Sequence, residues 1–184
     1  MLAGGLRLQP AEGELLIAED ASGMPMRRWP LRDRQGRPAR GVVAMLHAPW
    51  RRSVVVLLEG VAEAWEISYD PAAEAIYDGL VHDYRMGEGL GRSGYLAPRR
   101  LPLEQPLCAG RLIAERPWLI GQQGGDAVVL HLDARQRLAR VEGAEALQVA
   151  LEPGEAGPAA PSPRLRFGAD PRRLDTGRWQ LLPR

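Results

Sequence analysis

Residues 118–142 read Trp-Leu-Ile-Gly-Gln-Gln-Gly-Gly-Asp-Ala-Val-Val-Leu-His-Leu-Asp-Ala-Arg-Gln-Arg-Leu-Ala-Arg-Val-Glu. Short apolar runs alternate here with turn-forming residues, because Gly and Asp are concentrated in 122–126 and an Asp begins 133–136. Each run is shorter than a helix needs and is rich in Val and Leu, so the pattern predicts strands. The intervening turns are short enough to link neighbouring strands as hairpins.

The rest of the chain repeats this pattern. Its 184 residues include 21 Gly and 16 Pro, which interrupt the sequence every few residues. The run 53–58, Ser-Val-Val-Val-Leu-Leu, is typical of a strand buried on both faces, whereas 64–69 alternates like a half-buried strand. Further strands are predicted at 15–18, 41–46, 118–121, 127–132, 137–142, 147–151, 164–167 and 179–182.

Units of short strands and turns are typical of propeller blades, which are four-stranded and repeat about every 40–50 residues. We therefore predict an all-β fold of about four antiparallel, propeller-like blades in a single domain that spans 1–184. The blade boundaries are expected at 1–37, 38–105, 106–142 and 143–184. Residues 70–100 are predicted to form a long loop inserted in the second blade, and the Pro-rich residues 152–163 a flexible connector.

The charges of the chain nearly cancel, since 24 basic and 23 acidic residues give a net charge of +1. So weak a field gives no reason to expect nucleic acid or an anionic membrane as a partner. No apolar run approaches the ~20 residues of a membrane span, and residues 1–10 lack the apolar core of a secretory signal, so we expect a cytoplasmic protein. The single cysteine, Cys108, excludes an intramolecular disulfide and is expected to be a small buried residue.

The most distinctive motifs lie between residues 47 and 107. They read His-Ala-Pro-Trp-Arg-Arg-Ser at 47–53, Glu-Ala-Trp-Glu-Ile-Ser-Tyr-Asp-Pro at 63–71, Ile-Tyr-Asp-Gly-Leu-Val-His-Asp-Tyr-Arg-Met-Gly-Glu-Gly at 76–89 and Gly-Tyr-Leu-Ala-Pro-Arg-Arg-Leu-Pro-Leu at 94–103. This combination resembles the NirF-type proteins, which are relatives of the haem d1 propeller domain of dissimilatory nitrite reductase. On both flanks the resemblance weakens to a succession of strands and turns.

The resemblance implies an eight-bladed propeller that binds haem d1 or its tetrapyrrole precursor in a central pocket and acts late in the synthesis of that cofactor. Members of the family are about twice as long as this chain, so four blades correspond to half a propeller. The implied partners are a second copy of the chain, in a homo-oligomer, or a second half-propeller protein, together with nitrite reductase maturation proteins. The chain departs from the family at 142–147, where Glu-Gly-Ala-Glu-Ala-Leu replaces a histidine-bearing Gly-Met-Pro-His-Leu-Gly-Ser-Gly segment.

The resemblance also suggests residues that would bind the cofactor. His82 is the candidate ligand of the haem iron, and the alternative is an ordinary surface histidine. Arg85, Arg99 and Arg100 are candidate clamps for the carboxylates of haem d1, because guanidinium groups bind carboxylates in a forked geometry, and the alternative is that they are solvated.

Tyr84 lies in the same loop and is also a candidate cofactor-binding residue. All the tyrosines of the chain fall close to it, and their rings would either stack on a flat macrocycle or cover a small core of the loop itself. They are Tyr69, Tyr77, Tyr84 and Tyr95.

Other motifs point away from chemistry. His47, at a strand end, is predicted to be structural, and His131, between two leucines, is predicted on the polar face of a strand. The glycine-rich segment 87–91 lacks both the flanking strand and helix and the Lys-Ser/Thr of a phosphate-binding loop, so nucleotide binding is excluded. No spacing of His, Cys or carboxylates suggests a zinc site.

Three functions follow from the sequence. The first is synthesis or binding of haem d1 by a dimer or by a pair of half-propellers. The second is a non-catalytic assembly module of the same nitrite reductase system that has lost its tetrapyrrole. The third is an unrelated hydrolase that uses paired carboxylates as acid and base, drawn from Asp70, Asp78, Asp83 and Glu88.

Overall fold

The computed structural model describes residues 1–77 and 91–144, together with the backbone of strands at 150–152, 164–167 and 170–173. The chain forms two compact units, Met1–Pro106 and Leu107–Arg184. The single domain expected over 1–184 stays a prediction.

The first unit contains two four-stranded antiparallel sheets in which the strands follow chain order. Sheet 1 consists of β1 (Leu2–Ala3), β2 (Leu6–Ala11), β3 (Glu14–Glu19) and β4 (Pro25–Pro30). Sheet 2 consists of β5 (Gly41–Ala48), β6 (Ser53–Glu59), β7 (Glu63–Ser68) and β8 (Pro98–Pro102). A 3-10 helix (Pro49–Arg51) connects β5 to β6.

The second unit begins with a sheet of the same form. Sheet 3 consists of β9 (Ala109–Leu112), β10 (Trp118–Gln123), β11 (Asp126–His131) and β12 (Gln136–Val141). Sheet 4, in its described part, consists of β13 (Ala150–Glu152), β14 (Arg164–Phe167) and β15 (Asp170–Arg173). Across the described residues, the strands of each sheet lie within one of the four predicted blade ranges. An all-β fold of antiparallel, blade-like sheets is therefore confirmed.

Several strand predictions need correction. The segment expected to be a loop at 70–100 ends earlier, because residues 98–100 open β8, in which Arg100 pairs with Trp65 of β7. Sequence periodicity did not indicate β2 or β4, which contain proline and arginine and form because both pair with β3. Of the strand expected at 147–151, residues 150 and 151 belong to β13. Three other predicted ranges lie outside the described residues: 147–149 of that strand, 153–163 of the connector, and the strand expected at 179–182.

An apolar core lies between sheets 1 and 2. Leu8 and Ile17 of sheet 1 pack with Val54, Val56 and Trp65 of sheet 2, and all of them are buried. Burying side chains of this size contributes about 1.5–3 kcal/mol each. The other face of β6 is buried as well, since Val55 and Leu57 are 1% and 0% exposed, which confirms the prediction from its continuous apolar run.

The half-buried alternation predicted for 64–69 is wrong. Residues 63–67 are all buried, including Glu63 and Glu66, which are 5% and 8% exposed. Charged groups are found at such depth when they are paired and hydrogen-bonded. Arginines from other parts of the sequence supply the counter-charges: Arg100 pairs with Glu63, and Arg51 pairs with Glu66.

Glu63, at the start of β7, binds three neighbours. Its Oε1 accepts a hydrogen bond from Trp65 Nε1 at 2.7 Å and pairs with Arg100, and its Oε2 accepts the backbone N–H of Arg34 at 3.0 Å. Arg100 in turn donates to the carbonyl of Arg32 at 2.8 Å and lies 5.2 Å from the Trp65 ring centroid. Because Arg32 and Arg34 belong to the connection between β4 and β5, this carboxylate fastens that connection to sheet 2.

Two other expectations are wrong in the second unit. Cys108 is exposed rather than buried, and its thiol donates a weak hydrogen bond to the Gln122 carbonyl at 3.6 Å. His131 is buried rather than on a solvated face. Its Nδ1 accepts the backbone N–H of Ala134 at 3.2 Å, and this bond closes the turn between β11 and β12. The apolar core of sheet 3 includes Ile120 and Val129.

Replacing Glu63 with Gln should lower the free energy of unfolding by about 3 kcal/mol, because it leaves the largely buried Arg100 without its counter-charge. Glu59→Gln is the matched control, since Glu59 pairs with Arg40 but the two side chains are 46% and 75% exposed. That change should cost less than about 1 kcal/mol. Urea denaturation of both variants measures the difference, and equal losses would contradict the role of Glu63.

Asp126 gives a prediction on pH. The backbone N–H of Gly143 and the side chain of Arg140 donate to its carboxylate, at 2.9 and 2.8 Å, and hold the pKa of Asp126 below its ordinary value of 3.8. Its contribution to stability is therefore complete above the ordinary pKa and is lost as the pH falls through the lower, folded pKa. Arg140→Gln should raise this pKa.

An NMR titration of the Asp126 carboxyl carbon measures that change. Arg7→Gln is the control, because Arg7 pairs with Asp20 in the other unit and should leave the Asp126 titration unchanged. A midpoint at or above 3.8 in the unaltered protein would contradict the assignment.

Candidate functional site

One end of the first unit carries its longest connection, which joins β7 to β8. Because consecutive strands of each sheet are antiparallel, alternate connections emerge at the same end. At this end lie the turn at Gly4 and Gly5, the turn at 20–24, the 3-10 helix and the two described arms of the β7–β8 insertion, 69–77 and 91–97. Asp20 donates its backbone N–H to the Gly5 carbonyl at 2.9 Å, and Gly4 abuts Tyr69, so these connections touch. We call this surface the loop end.

The two arms of the insertion are held together at its base. Ile76 and Arg92 exchange backbone hydrogen bonds of 2.8 and 3.0 Å. Gly94 permits the close approach of the arms, since a Cβ there would lie 2.0 Å from the Glu74 carbonyl oxygen. Residues 78–90, between the arms, lie outside the described residues, and with them the predicted site residues His82, Tyr84 and Arg85.

Sheet 1 braces the returning arm. The indole Nε1 of Trp29, in β4, donates to the Leu96 carbonyl at 2.7 Å. The guanidinium of Arg92 lies 5.4 Å from the Trp29 ring centroid and donates to the Pro98 carbonyl at 2.8 Å. Leu96 has a left-handed backbone, with φ of 55°, although it is not a glycine, so the arm holds a conformation that costs energy by itself.

The outgoing arm begins at a histidine–tyrosine pair. Tyr69 lies just beyond β7, and its hydroxyl is 2.9 Å from Nε2 of His47, two strands away in β5. The ring of Tyr69 lies against Gly4, where a Cβ would come within 2.4 Å of Cδ2 of the ring. Three elements of the first unit, the β1–β2 turn, β5 and the end of β7, therefore converge on one hydrogen bond.

Charged and aromatic side chains adjoin this pair. The backbone carbonyl of Arg52 accepts the backbone N–H of Tyr69 at 2.8 Å. The side chain of Arg52 pairs with Asp70 at 3.3 Å and is 56% exposed. Trp50, in the 3-10 helix, and Tyr77, on the outgoing arm, are exposed. The loop end thus presents rings and a cation to solvent.

The predicted arginines occupy different environments. Arg100 is engaged by Glu63, as described above. Arg99 is 30% exposed and lies 3.9 Å from Glu66, a carboxylate that also accepts from Arg51 at 2.7 Å and Ser53 at 3.0 Å. Both arginines therefore meet carboxylates of the chain itself, and their role toward a ligand stays a prediction.

The described tyrosines differ in exposure, and their role toward a ligand stays a prediction. Tyr69 and Tyr95 are partly buried and pack against the core, whereas Tyr77 is 61% exposed. His47, expected to be structural, is exposed at the loop end and is the histidine that the structure adds to the candidate site. Its position at the end of a strand, followed by Trp50 and two arginines, was the available sequence signal.

No group of three His, Cys, Asp or Glu side chains among the described residues lies close enough together to hold a metal ion. In the same part of the chain, no helix has the length and apolar character that crossing a membrane requires.

Solved structures resemble the chain in fold. Dihydro-heme d1 dehydrogenase NirN in complex with DHE matches with a TM-score of 0.59 and 22% sequence identity over 88% of this chain. Sqt1 of Saccharomyces cerevisiae matches with a TM-score of 0.50 and 12% identity, also over 88%. The NirN match supports a related propeller fold. No protein-family model and no curated protein sequence matches the chain.

The chain is much shorter than these structures. It spans 30% of the NirN chain and 38% of the Sqt1 chain.

Replacing Trp29 with Phe tests the bracing of the returning arm. The variant loses the hydrogen bond to Leu96, which should cost about 1 kcal/mol and speed amide exchange at Leu96 several-fold. Trp118→Phe is the matched control, because Nε1 of Trp118 is buried without a hydrogen-bond partner among the described residues. If Leu96 exchanges equally fast in both variants, Trp29 does not brace the arm.

Proposed function

We propose that this chain is a haem d1-binding or haem d1-synthesis protein of the nitrite reductase system, similar to the NirF-type proteins. It binds a tetrapyrrole as a homo-oligomer or together with a second half-propeller protein. The observation that carries the proposal is the likeness in fold to NirN, a dihydro-heme d1 dehydrogenase. The motifs at 47–107, which resemble the haem d1 propeller family, add an independent reason.

The described residues of the loop end fit a flat ligand that bears carboxylates. Trp50 and Tyr77 offer exposed rings for stacking, and Arg52 offers an exposed guanidinium. Arg99 is the more accessible of the two predicted arginines in β8, since it is 30% exposed against 21% for Arg100. When bound, the tetrapyrrole supplies a redox-active iron, for which His82 is the proposed ligand, with Tyr84 and Arg85 as its neighbours in the loop.

A half-propeller arrangement also motivates the proposed partners. Blade-like sheets that end a stack expose a face and edges that need covering. A second copy of the chain or a second half-propeller protein would cover them, and nitrite reductase maturation proteins are proposed as further partners.

A second function is an assembly module of the same system without tetrapyrrole. It is favoured by residues 142–147, where the family's histidine-bearing segment is replaced by a sequence without histidine. Two residues of this segment bond to strands of sheet 3: the Gly143 backbone N–H donates to Asp126 at 2.9 Å, and the Ala144 carbonyl accepts from Gln122 at 3.2 Å.

Titration of the purified chain with haem d1 tests the proposal. We expect a saturable shift of the Soret band, with affinity about tenfold weaker in Arg99→Ala because a charge-assisted hydrogen bond is lost. Arg40→Ala is the control, since Arg40 is also paired with a glutamate but contacts the opposite end of sheet 2. The absence of a Soret shift at every oligomeric state would contradict tetrapyrrole binding. Co-purification of a protein partner without pigment from the native host would support the assembly module instead.

A further inference from the structure

The histidine–tyrosine pair of the loop end has the features of a ligand-binding group. His47 is exposed, whereas His131 is buried and closes a turn. Exposed histidines ordinarily rotate freely, but the His47 ring is held at Nε2 by the Tyr69 hydroxyl, 2.9 Å away. When one ring nitrogen of a histidine is engaged, the chemistry available to a ligand is that of the other nitrogen.

The ring of Tyr69 packs directly against Gly4. A side chain at Gly4 would collide with Cδ2 and Cε2 of Tyr69, at 2.4 and 2.8 Å from the added Cβ. The neighbouring Gly5 has a similar left-handed backbone, with φ of 75° against 57°, yet nothing lies within 4 Å of a Cβ added there. Gly4 is therefore set apart by its contact with the ring rather than by its backbone conformation.

The described charged groups around the pair are each engaged by a partner. Tyr69 is the titratable group in contact with the imidazole, and the turn at Gly4 and Gly5 brings no charged side chain. Arg52 and Asp70 follow on the adjoining connections and pair with each other at 3.3 Å, and the amino group of Met1 is held by the Leu8 carbonyl at 2.9 Å. Because the Arg52–Asp70 pair carries no net charge, the charge that would attract a carboxylate here is that of a protonated His47.

We propose that His47 binds a carboxylate of the ligand as an imidazolium, with one N–H held by Tyr69 and the other donated to the ligand. The proton that charges the ring comes from solvent when the ligand binds. Tyr69 and Gly4 are positioning residues for this contact. The inference rests on the proposed function, which supplies the class of ligand, a tetrapyrrole that carries ionised carboxylates. It differs from iron ligation, because both ring nitrogens of an imidazolium carry protons and neither has a lone pair for a metal.

An iron-free porphyrin with carboxylate side chains is the probe, because its binding does not depend on any iron ligand. Fluorescence titrations of the full chain between pH 8 and pH 6 measure affinity across the range in which histidine side chains generally titrate. We expect binding to tighten about tenfold as the pH falls, because only the imidazolium forms a charged hydrogen bond to the carboxylate. His47→Gln should remove this rise.

Two matched pairs of variants separate positioning from folding. Tyr69→Phe and Gly4→Ala should each weaken binding several-fold at pH 6, since each frees the imidazole. Tyr95→Phe and Gly5→Ala should bind like the unaltered protein, because neither touches the His47–Tyr69 hydrogen bond. If Gly4→Ala folds poorly, Tyr69→Phe still tests whether the His47–Tyr69 hydrogen bond contributes to binding.

The outcomes distinguish this inference from the proposed function. Binding of the iron-free porphyrin with the same pH dependence in His47→Gln would overturn the inference and leave the proposed function standing. Binding of haem d1 without binding of the iron-free porphyrin would do the same, because the iron would then carry the affinity. Failure of both ligands to bind would overturn both proposals.

Discussion

Glu63 is the buried carboxylate on which the first unit depends. It sits at the start of β7, where Trp65, Arg100 and the backbone of Arg34 all donate to it. A carboxylate taken out of water at this depth is tolerated only when each of its oxygens is bound. The arrangement fixes the connection between sheets 1 and 2, and it pairs Arg100 with a carboxylate of the chain itself.

This constraint also explains where sequence reasoning succeeded and failed. Runs of Val and Leu predicted β3, β6, β10 and β11 because burial on the pleated surface is a local property of such residues. The alternation of 64–69 was misread because Glu63 and Glu66 look solvent-facing until their arginine partners are known. β4, with the sequence Pro-Met-Arg-Arg-Trp-Pro, has no strand signal of its own and is held by pairing with β3.

The candidate site was only partly visible for a similar reason. The family-like motifs drew attention to 70–100, and that insertion does emerge at the loop end. His47 was taken as structural, since no local pattern reveals that Tyr69 reaches it across β6 or that Gly4 supports the tyrosine from another sheet. Trp29 and Leu96 are likewise 67 positions apart in the sequence. Contacts of this range arise from the packing of sheets, which composition and periodicity do not encode.

The proposed function has one central claim, that a flat anionic ligand binds the first unit where its insertion emerges. NMR mapping of backbone amides during titration with a carboxylated porphyrin tests it most directly. The account predicts that amides at 4–5, 47–52, 69–77 and 91–97 shift, while those at 31–40 and 59–63, at the opposite end, do not. Shifts confined to the opposite end, or to the second unit, would contradict it.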